Sequence, residues 1–284
     1  MKNLLITTVR ILCFLALWAA LFYGGTRALA LLTDGSGLVP AGFELCRQAI
    51  ACAVAFLIIC GAALVTNGRS GFPKLAKRPL RSALLGLFAG VFWVGVTFIL
   101  FFVTDSVFAD AREIPDYLFV WAAAVLVNVL TQELILRGYV YTVVSREYGA
   151  VSAIAVSSLV SLAVQGDAIA NGAAAIIFTV CASALYGALR YYTKGLLAPV
   201  ITHLIWDLAA GLVLGLVNLG QDYPVIISQS VVGEDIISGG RAGFEGSALA
   251  IIVCIALIDL IYLLINDRAA DAKTAPDPGI DRQM

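Results

Sequence analysis

Two short stretches place groups capable of proton transfer or charge stabilisation inside otherwise apolar runs: Gln132-Glu133-Leu134-Ile135-Leu136-Arg137-Gly138 and His203-Leu204-Ile205-Trp206-Asp207. A charge at bilayer depth costs about 2.5 to 3.5 kcal/mol on insertion scales, so such groups are tolerated where they face a protein interior or a wet cavity and have partners. Glu133 and Arg137 are four residues apart, and His203 and Asp207 repeat that spacing, so on a helix each pair shares a face. Each pair alone has a plain reading. Arg137 marks the cytoplasmic end of a span and Glu133 neutralises it; His203, the single histidine of the chain, is satisfied by one buried carboxylate. Together, the two pairs are most simply explained by convergence on one internal cavity.

Other chemistries find less support. There is no H-E-x-x-H, and a zinc site assembled from His203 with Glu133 and Asp207 would be an uncommon ligand set, so no metal and no cofactor are expected. Ser157, Ser158 and Ser161 raise the idea of a serine nucleophile, but no base sits beside them in sequence and small hydroxyl residues in membrane helices serve close packing. The six cysteines, Cys13, Cys46, Cys52, Cys60, Cys181 and Cys254, lie mostly in apolar runs without C-x-x-C spacing and read as small buried hydrophobes.

The elements that must position these groups are membrane helices. With 61% hydrophobic and 13% charged residues and a mean hydropathy of +0.96, the 284-residue chain is too apolar for a soluble domain. Runs of about 20 apolar residues cross a bilayer. Spans are expected at 11–32, 48–66, 82–104, 117–136, 150–165, 172–191, 196–217 and 246–265, giving an all-α, polytopic transmembrane helical bundle of about eight spans. Lys2 precedes an apolar run, but Arg10 interrupts it and no small-residue cleavage site follows, so it reads as the first span and not a signal peptide. The loop at 67–81 carries Arg69, Lys74, Lys77, Arg78 and Arg81, which places it in the cytoplasm together with both termini. The outer loops are acidic, with Asp105, Asp110, Glu113 and Asp116 in one and Asp222, Glu234, Asp235 and Glu245 in or near another. The chain then divides into N-terminal spans (1–116), a core bearing the polar pairs (117–217), an outer loop with the last span (218–266) and a disordered cytoplasmic tail (267–284).

Within that core the residues resemble a family. Gln132-Glu133-x-x-x-Arg137-Gly138 is similar to the E-E-x-x-x-R-G motif of the CPBP family, the CAAX-protease and bacteriocin-processing intramembrane endopeptidases, also called ABI. The stretch from Gly195 to Asp207, with Pro199, resembles its third motif, H-x-x-x-N/D. Ser157 to Gln165 lines up with the second, F-x-x-x-H, and Gly239 to Ser247 is similar to a Gly-rich segment of bacterial members. The resemblance implies that the first glutamate of motif one and the histidine of motif two activate the attacking water. It further implies that the motif-three histidine and its partner stabilise the oxyanion.

Here both water-activating positions are amides, Gln132 and Gln165. A carboxamide neither accepts a proton usefully nor donates one as an acid, and losing a general base typically costs about 10²- to 10⁴-fold. The candidate site residues are therefore Glu133, Arg137, His203 and Asp207, with Gln132 and Gln165 as degenerate positions. One rescue has Glu133 as base, although one residue along a helix turns a side chain by about 100° and so toward another wall unless the helix is distorted. Another has His203 as base with Asp207 orienting its tautomer. Hydrolysis is thus in doubt. The alternatives are an active intramembrane endopeptidase with rearranged roles, working near the cytoplasmic face where the fourth span ends, and a non-catalytic binder of peptide or lipid, including bacteriocin immunity. Transport is a weaker option, since no inverted repeat is evident. Expected partners are membrane lipids and a peptide or membrane protein, with no nucleic acid, at a multi-pass location in the plasma membrane.

Overall fold

Prolines and glycines set the limits of long apolar helices. The computed structural model describes residues 2–65, 74–220 and 223–274. Along the chain run α1 (Lys2–Thr33), α2 (Pro40–Val65), α3 (Pro79–Val103), strand β1 (Val107–Arg112) and α4 (Leu118–Glu133). A π-helical turn (Leu134–Val140) leads into α5 (Tyr141–Gln165), followed by the short α6 (Asp167–Ala170) and α7 (Ala173–Thr193). Next come α8 (Leu197–Ile205), a second π-helical stretch (Trp206–Val213), β2 (Ile227–Val231), the short α9 (Asp235–Ser238), a 3-10 segment (Gly240–Gly246) and α10 (Ala248–Thr274). Pro40 and Pro79 open α2 and α3, where a missing N–H costs nothing because the first-turn donors have no helical acceptor. Pro199 sits in the first turn of α8 for the same reason.

Among the described residues six helical runs are long and apolar enough to cross a membrane, and the apolar helix at 197–213 is shorter. The difference of two from the eight expected spans has two sources: the seventh corresponds to the shorter helix at 197–213, and the 48-residue run Leu118–Gln165 takes in the fourth and fifth. Gly149 breaks that run with φ 80° and ψ 174°, a backbone conformation open essentially to glycine alone, so the chain reverses there without a loop. α10 continues to Thr274, so 267–274 of the expected tail are helical; 275–284 lie outside the described residues, as do 66–73 of the basic loop.

Contacts fix which ends share a side. Leu196 and Leu197 donate backbone N–H groups to the carbonyls of Lys74 and Leu75 (3.1 and 2.9 Å), so α8 starts beside the basic segment. Asn3 approaches Glu147 on that side. At the opposite end β1 pairs antiparallel with β2, Val107 against Val231 and Arg112 against Ile227, with a bulge between Ala109 and Ala111. Tyr223 bonds Glu44 at that end and packs on Trp121. This small ribbon, in the loops expected on the outer side, had no counterpart among the expected elements.

The largest core cluster joins α3, α7, α8 and α10. Fully buried Trp93 stacks on Trp206 (4.0 Å between centroids) and donates its indole N–H to the Ala250 carbonyl at 3.1 Å. Helices α3 and α8 touch at glycine. An added Cβ on Gly86 would lie 2.6 Å from the Ala198 carbonyl oxygen, so only glycine allows the backbones this close. Thr202 completes the contact by donating to the Gly86 carbonyl at 3.1 Å.

Candidate functional site

The four polar residues of the two sequence pairs meet between two helical segments, α4 with its π-helical turn and α8 with its π-helical stretch. Glu133 ends α4 and Arg137 lies one turn on, inside the π-helical segment, where the wider turn is closed by the Tyr141 N–H bonding the carbonyl of Leu136. His203 lies six residues into α8, and Asp207 enters the second π-helical stretch. Single-turn π distortions of this kind are common where a helix must present a side chain to a site.

The ionic part is closed off from the surface. Glu133 is 0% and Arg137 1% exposed. Arg137 Nη1 donates to Glu133 Oε1 at 3.1 Å. Its Nη2 donates to the carbonyl and the hydroxyl of Ser183 on α7, at 2.7 and 2.6 Å. The guanidinium lies over the Tyr186 ring, 5.1 Å from its centroid. On the other side of the carboxylate His203 Nδ1 is 3.0 Å from the same Glu133 Oε1, and the imidazole stacks on Tyr186 at 4.6 Å. An ionised carboxylate only accepts, so Nδ1 carries the hydrogen of that bond and Nε2 points the other way. There it lies 3.7 Å from Asp207 Oδ2, beyond hydrogen-bond length. Glu133, rather than Asp207, thus sets the orientation of the imidazole.

The other part faces a cavity of about 300 Å³ lined by Gln132, Gln165, His203, Asp207, Asn128, Thr131 and Thr179, among others. Gln165 Nε2 donates to Gln132 Oε1 at 3.0 Å, so the two amides form a pair on its wall. Glu133 is not part of the lining, because one step along α4 turns it away into the ionic cluster. The serines near Gln165 serve packing: Ser157 and Ser161 donate to the carbonyls of Ile154 and Ser158 on their own helix. Among the described residues no group of three or more His, Cys, Asp or Glu side chains is placed to hold a metal ion.

Several lining residues escaped sequence reasoning. Arg47 and Gln48 of α2 border the cavity and are tied to Glu44, Arg47 through Nε and Nη2 (2.7 and 2.6 Å) and Gln48 through its amide (2.7 Å). Glu44–Gln48 and Asn128–Gln132 carry the same four-residue spacing that singled out the other pairs, so this signal was present. Ser183 and Tyr186 carried none. Val217 to Gly220 line both this cavity and a recess of about 930 Å³ bordered by Asp235 and the 239–246 segment. The cavity therefore adjoins the ribbon end of the bundle, opposite the basic segment, and not the end where α4 was expected to meet the cytoplasm.

Residues 114–209, roughly a third of the chain, match the family model described as Type II CAAX prenyl endopeptidase Rce1-like. The match takes in Gln132, Glu133, Arg137, Gln165, His203 and Asp207 and agrees with the family resemblance of the sequence motifs. Comparisons with curated proteins and with solved structures each returned no match.

Proposed function

We propose that this chain, a CAAX-endopeptidase-like membrane protein over its central segment, holds a peptide stretch of a membrane partner in its cavity without hydrolysing it. The observation that carries the reading is the Gln132–Gln165 pair, two amides bonded to each other at 3.0 Å where the family resemblance calls for an acid and a base. Neither amide can take a proton from water, and Glu133, the nearest carboxylate in sequence, already accepts from Arg137 and His203 through one oxygen. What the lining offers is hydrogen bonding. Carboxamides present one acceptor and two donors each, the complement of a peptide backbone, and a volume of about 300 Å³ lies at the small end of ligand pockets. His203 and Asp207 supply polar groups for a carbonyl and an amide N–H. We place the protein in the plasma membrane, with inhibition or immunity through a bound partner as its biological class.

The test is reversion in the purified full chain. Gln132→Glu combined with Gln165→His should raise cleavage of a quenched-fluorescent peptide library by at least about 10²-fold over wild type, the usual contribution of a general base. Wild-type cleavage that disappears in His203→Ala would overturn the proposal and favour an enzyme with His203 in the base role.

A further inference from the structure

Away from the polar cavity, α1 and α2 splay to leave an apolar groove of about 660 Å³ between them. Its walls are Phe14, Leu17 and Leu21 on one helix and Val54, Ile58 and Gly61 on the other, and Tyr139 closes its back by stacking on Phe14 at 4.1 Å. The helices are antiparallel, so Arg10 lies beside Val65 and Leu21 beside Val54. At 1.5 Å per residue the groove runs about 16 Å along the helices, half of a hydrocarbon core of about 30 Å.

Arg10 stands at one end, with the Tyr139 hydroxyl 3.5 Å from its backbone carbonyl. Its side chain is exposed, and its guanidinium makes no ion pair or hydrogen bond among the described residues. α1 spans 32 residues, about 48 Å, well beyond the hydrocarbon thickness. The excess allows Arg10, two turns into the helix, to sit at headgroup level on the side of Lys74, Lys77, Arg78 and Arg81. An exposed cation with no carboxylate paired to it among the described residues, above a groove one leaflet deep, matches a phosphate joined to an acyl chain.

We propose that this groove is a binding site for an anionic phospholipid of the leaflet facing the basic segment, with the phosphate on Arg10 and one acyl chain along α1 and α2. Binding of this kind is electrostatic at one end and apolar at the other, so each part can be removed separately. The full chain in neutral detergent would be given equal amounts of phosphatidylglycerol and phosphatidylcholine, and bound lipid counted by native mass spectrometry. Wild type should retain phosphatidylglycerol preferentially. Arg10→Gln should reduce that preference about fivefold, the worth of one basic residue at an anionic surface, while Arg10→Lys keeps most of it. Gly61→Leu should lower retention of both lipids, and since a Cβ on Gly61 meets nothing within 4 Å, it fills the groove without a clash. Equal retention of the two lipids by wild type, or wild-type selectivity in Arg10→Gln together with wild-type retention in Gly61→Leu, would overturn the proposal.

Discussion

Replacing Arg137 by methionine removes a fully buried guanidinium and leaves its surroundings charged. The arginine makes three hydrogen bonds through its terminal nitrogens, one to Glu133 and two to Ser183. Methionine fills much of the volume but satisfies none of these groups. Glu133 would keep only its contact with His203, and its second oxygen already has no partner among the described residues. Deleting one member of a buried ion pair typically costs about 3–5 kcal/mol, most of it the penalty of the charge left behind. If that is the origin of the loss, neutralising the partner should recover part of it. Arg137→Met with Glu133→Gln should be more stable than the sum of the two single changes implies, by a coupling of about 1–3 kcal/mol. The assay is reversible unfolding of the full chain in mixed micelles, with a double-mutant cycle over the four proteins. A cost below about 1 kcal/mol for Arg137→Met, or single changes that simply add, would refute the ionic account of the cluster.

Two further predictions concern Tyr223 at the ribbon end and the glycine contact between α3 and α8. Burial first, and then the neighbouring Glu44 carboxylate, hold the Tyr223 hydroxyl far above the usual tyrosine range. The native state thus keeps a proton that the unfolded chain releases above about pH 10, and stability should fall from there upward, more steeply in wild type than in Tyr223→Phe when melting is followed against pH. Gly86→Ala sets a Cβ against the Ala198 backbone and should cost about 1–3 kcal/mol, read as a lowered melting temperature, whereas Gly95→Ala, whose added Cβ meets nothing within 4 Å, should stay within about 0.5 kcal/mol.

The apolar helices and the two polar pairs were legible because both rest on local sequence, the helices on runs of about 20 apolar residues and the pairs on a four-residue spacing. Each expected span falls on a helix, and Glu133–Arg137 and His203–Asp207 lie on the elements expected of them. What stayed hidden depends on distance in space. The direct bond between Gln132 and Gln165, 33 positions apart, follows from no spacing rule, and the family resemblance alone brings those two positions together. Ser183 and Tyr186, which hold Arg137, read as ordinary helix residues. The exchange of roles between Asp207 and Glu133 beside His203 depends on how the end of α4 meets α8, a contact between segments 70 residues apart in sequence. The fifth span is expected from 150, directly after the break at Gly149, whereas residues 137–148, left between the expected spans, are helical.

The geometry also separates two things that the sequence presents as one motif. Glu133, Arg137 and His203 form a ring of contacts that joins the end of α4 to α7 through Ser183 and to α8 through the imidazole. Each charged group in it has a neighbour whose removal would leave a bare charge at depth, so the cluster has a folding reason to be intact whether or not the protein hydrolyses anything. The amide pair lies outside that ring, on the cavity wall, where a change from acid and base to carboxamides leaves every one of those ionic contacts in place. Retention of the ionic residues therefore speaks for the scaffold, and chemistry has to be read from positions 132 and 165. A reverted pair that restores hydrolysis would show that the frame kept its catalytic geometry while serving as a binding site.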